Sequence, residues 1–561
     1  MGVNAALVEL RAFSVGLRYP VARVPYPPPP PDKALLAPAD RDPTALRARH
    51  WLLLLAITTL AAVVRTIGLG DYGMWVDEAH TWRDATMPLH GPEGFLATDR
   101  VLYSLSFFLL RGLLALGWIG ETAADLRLPF VIAGVLTVPL VALCGRRLVG
   151  ASAAVFAALL LAVHPWHVFW SQNARGYVFV VLAAVVVADR ALAYAQRERL
   201  RDLLGTWLAI AIGTVSHATG GLLAVGFVAF LVLRRVRLGR RGLVWGLVGI
   251  VLVGFVLPWA VENWSPFQAF LRSKDRASLL HFVQTTGFWF RPLLLVLAVV
   301  GLWLLRSVGG RERAVLLGSL SLLPLAVLFA LGAKVVLTTA RYAICALPIV
   351  VWLAAFAAMQ FGEAIGRAMR ARSWARTLRV GVVPALLVIE LCVQLVDYHG
   401  PQHGQRARWP EAAAFLQQQA GGRPIHVGTT NHPSMLWYLR PGQWRFVVPP
   451  EYQSNQIVPL MDWTVGQGVD HFKQSAHEPG AKNHVAWHRQ QAKADGALLA
   501  FVVTGPELEE QEQRLADETK YPGVDGAIRA AIEAECRLAL HLPCWVGPKD
   551  ESISIYVLRE P

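Results

Sequence analysis

Between residues 51 and 396 the sequence runs through about eleven apolar stretches, each close to the roughly 20 residues that cross a hydrocarbon core. This recurrence restricts the fold more than any motif, because backbone inside a bilayer must satisfy its own hydrogen bonds and does so as helices or closed barrels. Stretches of this length are helices. The chain therefore reads as mainly α, a polytopic transmembrane helical bundle with spans near 51-69, 126-144, 151-170, 177-195, 203-217, 219-233, 243-261, 291-305, 314-332, 342-361 and 380-396. The pair 203-217 and 219-233 is short, so tilting or re-entry is expected there.

Charge supplies the orientation. A net charge of +14 would suit a nucleic-acid binder, but 55% of the residues are hydrophobic and the arginines fall in short runs between apolar stretches. Such runs mark the cytoplasmic loops of membrane proteins, so no nucleic-acid partner is implied. Clusters at Arg146-Arg147, Arg197 to Arg201, Arg234 to Arg241, Arg306 to Arg313 and Arg367 to Arg379 are each separated by enough apolar sequence for two crossings, and all share one side. They lie inside only if 101-118, although apolar, does not cross. We read that stretch as an interfacial helix of the first external loop, with Arg111 emerging from it.

Three regions follow from this reading. Residues 1-50, with Pro25 and the run Pro27 to Pro31, form a disordered cytoplasmic arm. Residues 51-396 form the transmembrane domain of an inner (plasma) membrane protein. Residues 397-561 stand outside the cytoplasm as a small α/β domain, with a helix start at Pro410-Glu411 and strands at 425-429, 498-504 and 553-557. Cys536 and Cys544 lie in this polar tail, and an oxidising compartment would allow them to pair.

The polar chemistry concentrates outside. Asp71 to Asp84 holds Asp71, Asp77, Glu78 and Asp84 with His80, Arg83, Tyr72, Trp75 and Trp82 at the mouth of the first span. Charge in that position needs water, a partner or a ligand. Arg175, His217, Lys334 and Arg341 then sit in external turns, against the positive-inside bias. For one such cation, snorkelling or contact with a lipid headgroup is the plainer explanation. For Arg175 and Arg341 together, a phosphate or diphosphate held at the membrane surface is favoured.

Asp77 has a bland reading too, as a helix cap. Its functional reading is a base that takes the acceptor proton while an anomeric bond to phosphate breaks, facing cations where negative charge develops. Asp77, Glu78, His80 and Asp84 also offer ligands for a divalent metal, although their spacing selects none.

Trp75-Val76-Asp77-Glu78-Ala79-His80-Thr81 resembles the Asp-Glu motif in the first external loop of the GT-C membrane glycosyltransferases that use polyprenyl-phosphate sugars. These include the dolichyl-phosphate-mannose protein mannosyltransferases and the aminoarabinose transferase of lipid A. Leu126-Arg127-Leu128-Pro129, Ser171-Gln172-Asn173-Ala174-Arg175-Gly176-Tyr177 and Arg341-Tyr342 with Pro348 support the resemblance over residues 51 to about 396. The chain departs from the family at Thr98 to Tyr103, where many members have His-Pro-Pro-Leu-Tyr.

The resemblance implies a GT-C bundle in which Asp77 is the catalytic base, Glu78 assists it, and 101-118 belongs to the first loop. The donor phosphate is expected at Arg175 and Arg341, with Lys334 and His217 as further groups. Trp75, His80, Tyr103, Tyr177 and Tyr342 are the candidate substrate-binding residues. The partners implied are a polyprenyl-phosphate sugar, an extracytoplasmic glycan, lipid or protein acceptor, and the bilayer. The rival reading is a lipid or sugar transporter or flippase without transfer chemistry. Such proteins place ionisable groups near mid-membrane, often in repeated halves; here the spans are nearly free of interior charge and no repeat is evident. A membrane-anchored sensor would instead put function in the tail, with Trp409, Trp437, Trp463 and Trp487 as a glycan surface.

Overall fold

The computed structural model describes residues 44–90, 95, 105–234, 279–334, 339–368, 373–429, 432–439, 455–459, 485–486, 488–490, 492–505, 527–547 and 549–559, within one compact unit. The proline-rich arm before residue 44, Tyr103, the expected span 243-261, Trp463 and Trp487 lie outside these residues.

The bundle begins with α1 (Ala48–Thr66), and a loop leads to the short α2 (Val76–Thr86) and α3 (Leu105–Ala115). The helices α4 (Ala123–Val149), α5 (Ala151–Val163), α6 (Pro165–Ser171), α7 (Tyr177–Arg197), α8 (Leu200–Ser216) and α9 (Leu222–Arg234) follow. After the undescribed stretch come α10 (Leu279–Phe290), α11 (Pro292–Ser307), α12 (Arg311–Lys334), α13 (Leu347–Ala368) and α14 (Ser373–His399). Apolar side chains on their outer faces, such as Leu52 and Leu55 on α1 and Val393 and Val396 on α14, are exposed, as a lipid-facing surface requires.

Among the described residues six helices are long and apolar enough to cross a membrane, and eight if each of two bent pairs counts as one span. Proline explains the bends. Its ring disfavours α geometry in the preceding residue and removes a donor, although Pro129, Pro139, Pro324 and Pro384 stand inside helices. His164 before Pro165 is accordingly extended, with α5 and α6 meeting at 63°, and Arg291 before Pro292 adopts φ 71° where α10 and α11 meet at 86°. Two expectations change as a result. The stretch 151-170 is a broken span, and residues 279–290, read as part of an external loop, are helical. The described part of 101-118 holds the helix α3, whose 11 residues reach about 16 Å at 1.5 Å per residue; residues 101–104 lie outside the described residues.

Beyond α14 the chain forms an α/β lobe. The helices α15 (Trp409–Ala420), α16 (His432–Leu439) and α17 (Ala527–Glu535) accompany β1 (Ile425–Thr429), β2 (Asn455–Pro459), β3 (Leu498–Thr504), β4 (Cys536–Leu542), β5 (Trp545–Val546), β6 (Lys549–Asp550) and β7 (Ile553–Leu558). Five strands form one sheet in the order β2-β1-β3-β7-β4, parallel across the first three and antiparallel after β3; β5 and β6 make a separate hairpin. All three strands read from the sequence are present. β1 is buried at every position, lying between β2 and β3 with α15 packed against it. No disulfide joins Cys536 to Cys544.

Candidate active site

The site grows from the way α2 starts. Trp75 is extended (φ -70°, ψ 151°), and the Glu78 carboxylate turns back to accept the Trp75 N–H at 3.1 Å. Both acids of the pair fall in the first helical turn, where unpaired N–H groups favour negative charge. Successive residues on a helix point about 100° apart, so Asp77 and Glu78 face different surroundings.

Glu78 turns inward and is fully buried. Arg127 of α4 grips it by a two-point fork at 2.8 and 2.9 Å, the Ala174 N–H donates to it at 2.9 Å, and the Arg406 Nε stands 3.6 Å away. Burial alone would raise its pKa, but Arg127, then Arg406 and the Ala174 N–H, hold it below the ordinary carboxylate value. The expectation that Glu78 assists the base is therefore corrected. Its oxygens are committed to arginines and backbone, and it anchors the loop. Arg127 completes the anchor by donating to the carbonyls of Leu69, Tyr72 and Gly73 at 2.8, 3.0 and 2.8 Å.

Asp77 remains 31% exposed, with Oδ2 3.9 Å from the Arg175 guanidinium, which also donates to the Thr81 hydroxyl at 3.2 Å. The α6–α7 turn that carries Arg175 rests on the end of α8. A Cβ at Gly176 would overlap the Ser216 carbonyl, so only glycine permits the approach that sets Arg175 beside His217. The His217 ring lies against Tyr177 and Tyr342, at centroid distances of 4.2 and 6.1 Å. Burial, then Arg175 and Arg341, pushes its pKa down to about 3.

Arg341 comes from the 3-10 turn Ala340–Ala346 before α13. It donates to the Tyr342 hydroxyl at 3.2 Å and lies 5.7 Å from the Trp75 ring centre, while its Nε is buried with no hydrogen-bond partner among the described residues. Asp77 acts electrostatically on both His217 and Arg341. Trp75 and Arg341 also line a pocket of about 520 Å³, open mouth included, whose walls are Trp170, Trp289 and Phe169. Its polar lining comes from His281, Thr285, Thr339, Gln405 and Glu551.

Of the residues singled out in the sequence, Asp77, Arg175, Arg341, His217, Trp75, Tyr177 and Tyr342 come together. His80 lies half-buried on α2, and Lys334 ends α12. A metal at the acidic loop does not fit: Glu78 is bound to Arg127 and Asp84 pairs with Arg83 at 3.0 Å, so the proposed ligands diverge. Among the described residues no group of three His, Cys, Asp or Glu is placed to hold a metal ion.

Sequence reasoning missed Arg65 and Arg406, both fully buried, and gave Arg127 no role. An arginine within an apolar span was the available signal for Arg65 and Arg127. Arg65 donates to the carbonyls of Ala61, Leu161 and Ala162 and to the Ser171 hydroxyl, tying α1 to the broken α5–α6 span.

Residues 105–259 match the family described as dolichyl-phosphate-mannose-protein mannosyltransferase. No curated protein matches the chain. Among solved structures it is similar to the archaeal oligosaccharyltransferase AglB from Archaeoglobus fulgidus in complex with an inhibitory peptide and a dolichol-phosphate, with a TM-score of 0.51 and 13% identity, covering 90% of this chain and 74% of that one. The apo form of an oligosaccharyltransferase from Archaeoglobus fulgidus gives a TM-score of 0.51 and 12% identity, covering 87% of this chain and 72% of that one. Apo ArnT from Cupriavidus metallidurans gives 0.50 and 17%, covering 91% and 98%. At these identities the likeness is one of fold.

Proposed function

We propose that this chain is an integral-membrane glycosyltransferase that moves a sugar from a polyprenyl-phosphate donor to an extracytoplasmic glycolipid, polysaccharide or protein. Residues 51-396 carry the chemistry, residues 397-561 stand outside the cytoplasm, and the N-terminus is cytoplasmic. The observation that carries the reading is the pairing of a partly exposed carboxylate, Asp77, with Arg175 at 3.9 Å, beside Arg341 and an aromatic pocket.

The reaction is a direct inverting displacement. The acceptor oxygen bonds to the anomeric carbon as its proton passes to Asp77, and the bond from that carbon to the phosphate oxygen breaks. Polyprenyl phosphate leaves as an anion, which is stabilised as its charge develops by Arg175 and by the Nε–H of Arg341, which has no hydrogen-bond partner among the described residues. Aromatic walls with a few polar groups suit a sugar ring and its hydroxyls. The archaeal protein of this fold was solved with a dolichol-phosphate, which supports a lipid phosphate as donor.

The test is to incubate the purified full-length protein in nanodiscs with polyprenyl-phosphate sugars bearing labelled hexoses or pentoses. Release of polyprenyl phosphate with labelling of an acceptor is expected. With the same protein in sealed proteoliposomes, movement of intact donor across the membrane without cleavage would establish the transporter instead. Within this assay Arg341→Ala should lower kcat/KM by about 10- to 100-fold, the worth of one or two hydrogen bonds to a charged group. Arg341→Lys should recover only part, since the planar fork is lost.

A further inference from the structure

The C-terminal lobe and the linker from α14 hold the Asp77 loop at Tyr72, Gly73, Met74, Glu78 and Trp82. The Tyr72 hydroxyl meets His399 Nδ1 at 2.7 Å. The Met74 N–H donates to the Tyr438 hydroxyl of α16 at 2.6 Å, and the ring of Trp437, next to it, packs edge-on against Trp82 at 4.9 Å. Gly73 lies so close to the linker that a Cβ there would overlap the Ala407 carbonyl, and the Tyr72 ring fills the place of a Cβ on Gly404.

The linker itself has an uncommon backbone. His403, Gly404 and Gln405 have φ of 46°, 69° and 52°, three left-handed residues in succession, two of which are not glycine. Such conformations persist where surrounding contacts over-determine them. Here the turn delivers Arg406, fully buried, into the bundle. It donates to the Tyr398 hydroxyl at 3.1 Å and to the carbonyls of Gly404 and Gln172 at 2.9 and 2.7 Å, with its Nε 3.6 Å from Glu78. Gln172 belongs to the turn that carries Arg175. One side chain from the linker therefore touches both the anchor of Asp77 and the support of its cationic partner.

We propose that the linker and α16 form a clamp that sets the separation of Asp77 from Arg175, and that Arg406 and Tyr438 are positioning residues of the transfer reaction; this rests on the glycosyltransferase reading above. Neither residue is placed to touch the reacting atoms. They act through Glu78, Gln172 and Met74, so their loss displaces the base without removing the donor site. A displacement near 1 Å in a catalytic constellation costs about 100-fold.

The experiment compares full-length wild type, Arg406→Gln, Arg406→Lys and the milder Tyr438→Phe in nanodiscs. It reads steady-state kinetics per folded molecule, binding of polyprenyl phosphate alone, and hydrogen exchange of residues 71–86. Arg406→Gln should lower kcat about 10- to 100-fold while donor KM and polyprenyl phosphate binding stay within about twofold, with faster exchange in 71–86. Arg406→Lys should restore part of kcat, and Tyr438→Phe should lower kcat and loosen the loop to a smaller extent. A fall in folded yield with kcat per molecule unchanged in both Arg406→Gln and Tyr438→Phe overturns the proposal, as does unchanged exchange across 71–86. If the wild type cleaves no polyprenyl-phosphate sugar, the reaction reading fails by itself, and the exchange comparison still decides whether the clamp exists.

Discussion

Replacing Asp77 by Asn should reduce sugar transfer by about 10²- to 10⁴-fold, the usual contribution of a positioned base, while the protein folds, inserts and binds polyprenyl phosphate as before. Size is kept, while the ability to take a proton goes together with the negative charge that faces Arg175 and Arg341. The expected sparing of stability comes from the geometry. Asp77 is 31% exposed and its ion pair with Arg175 is 3.9 Å long, and pairs of that kind contribute about 0–1 kcal/mol. A loss of activity in this variant is therefore separable from a loss of fold by a melting curve and a lipid-binding isotherm on the same sample. Transfer within about threefold of wild type would remove Asp77 from the mechanism, since even a weakly acting base is worth more than that.

Much of this site was legible in the sequence because membrane proteins make charge conspicuous. Asp77, Arg175 and Arg341 stood out as ionised groups at the ends of apolar stretches, and each such group needs a reason. The bundle was legible for the same cause, with stretch lengths and arginine runs marking helices and turns. Length alone, however, does not show where a span bends. His164-Pro165 and Arg291-Pro292 break two helices, and the second break adds α10, which hydropathy had assigned to a loop. The division of labour between Asp77 and Glu78 was illegible too. Two adjacent acids look equivalent in a string, and only the packing of α4 against the loop shows that Arg127 takes one of them. Arg406 was harder still. It lies some 330 residues from Glu78 in a segment of ordinary polar composition, and its burial depends on a turn whose left-handed residues include His403 and Gln405, neither of which signals that conformation.

That division makes the neighbouring acid the opposite experiment. Glu78→Gln should cost about 3–5 kcal/mol of stability, because it leaves Arg127 and Arg406 buried without the carboxylate that neutralises them. The melting temperature of the detergent-solubilised protein should fall markedly, where Asp77→Asn leaves it unchanged. Truncating Arg127 as well, in Glu78→Leu with Arg127→Met, should be less damaging than Glu78→Leu alone, since a buried pair replaced by apolar groups loses less than a pair broken on one side. The sign with pH follows from the lowered Glu78 pKa. The carboxylate binds its proton less readily folded than unfolded, so its contribution is full above the unfolded value near 4.3 and is lost as pH falls through the lower folded value. Wild type and Glu78→Gln should therefore differ most in melting temperature from neutral pH down to about 5, and converge as the solution is acidified below about 4. An undiminished difference in acid, or a Glu78→Gln protein as stable as wild type at neutral pH, would mean that the arginines find other partners and that the loop carrying Asp77 is anchored by something other than this triad.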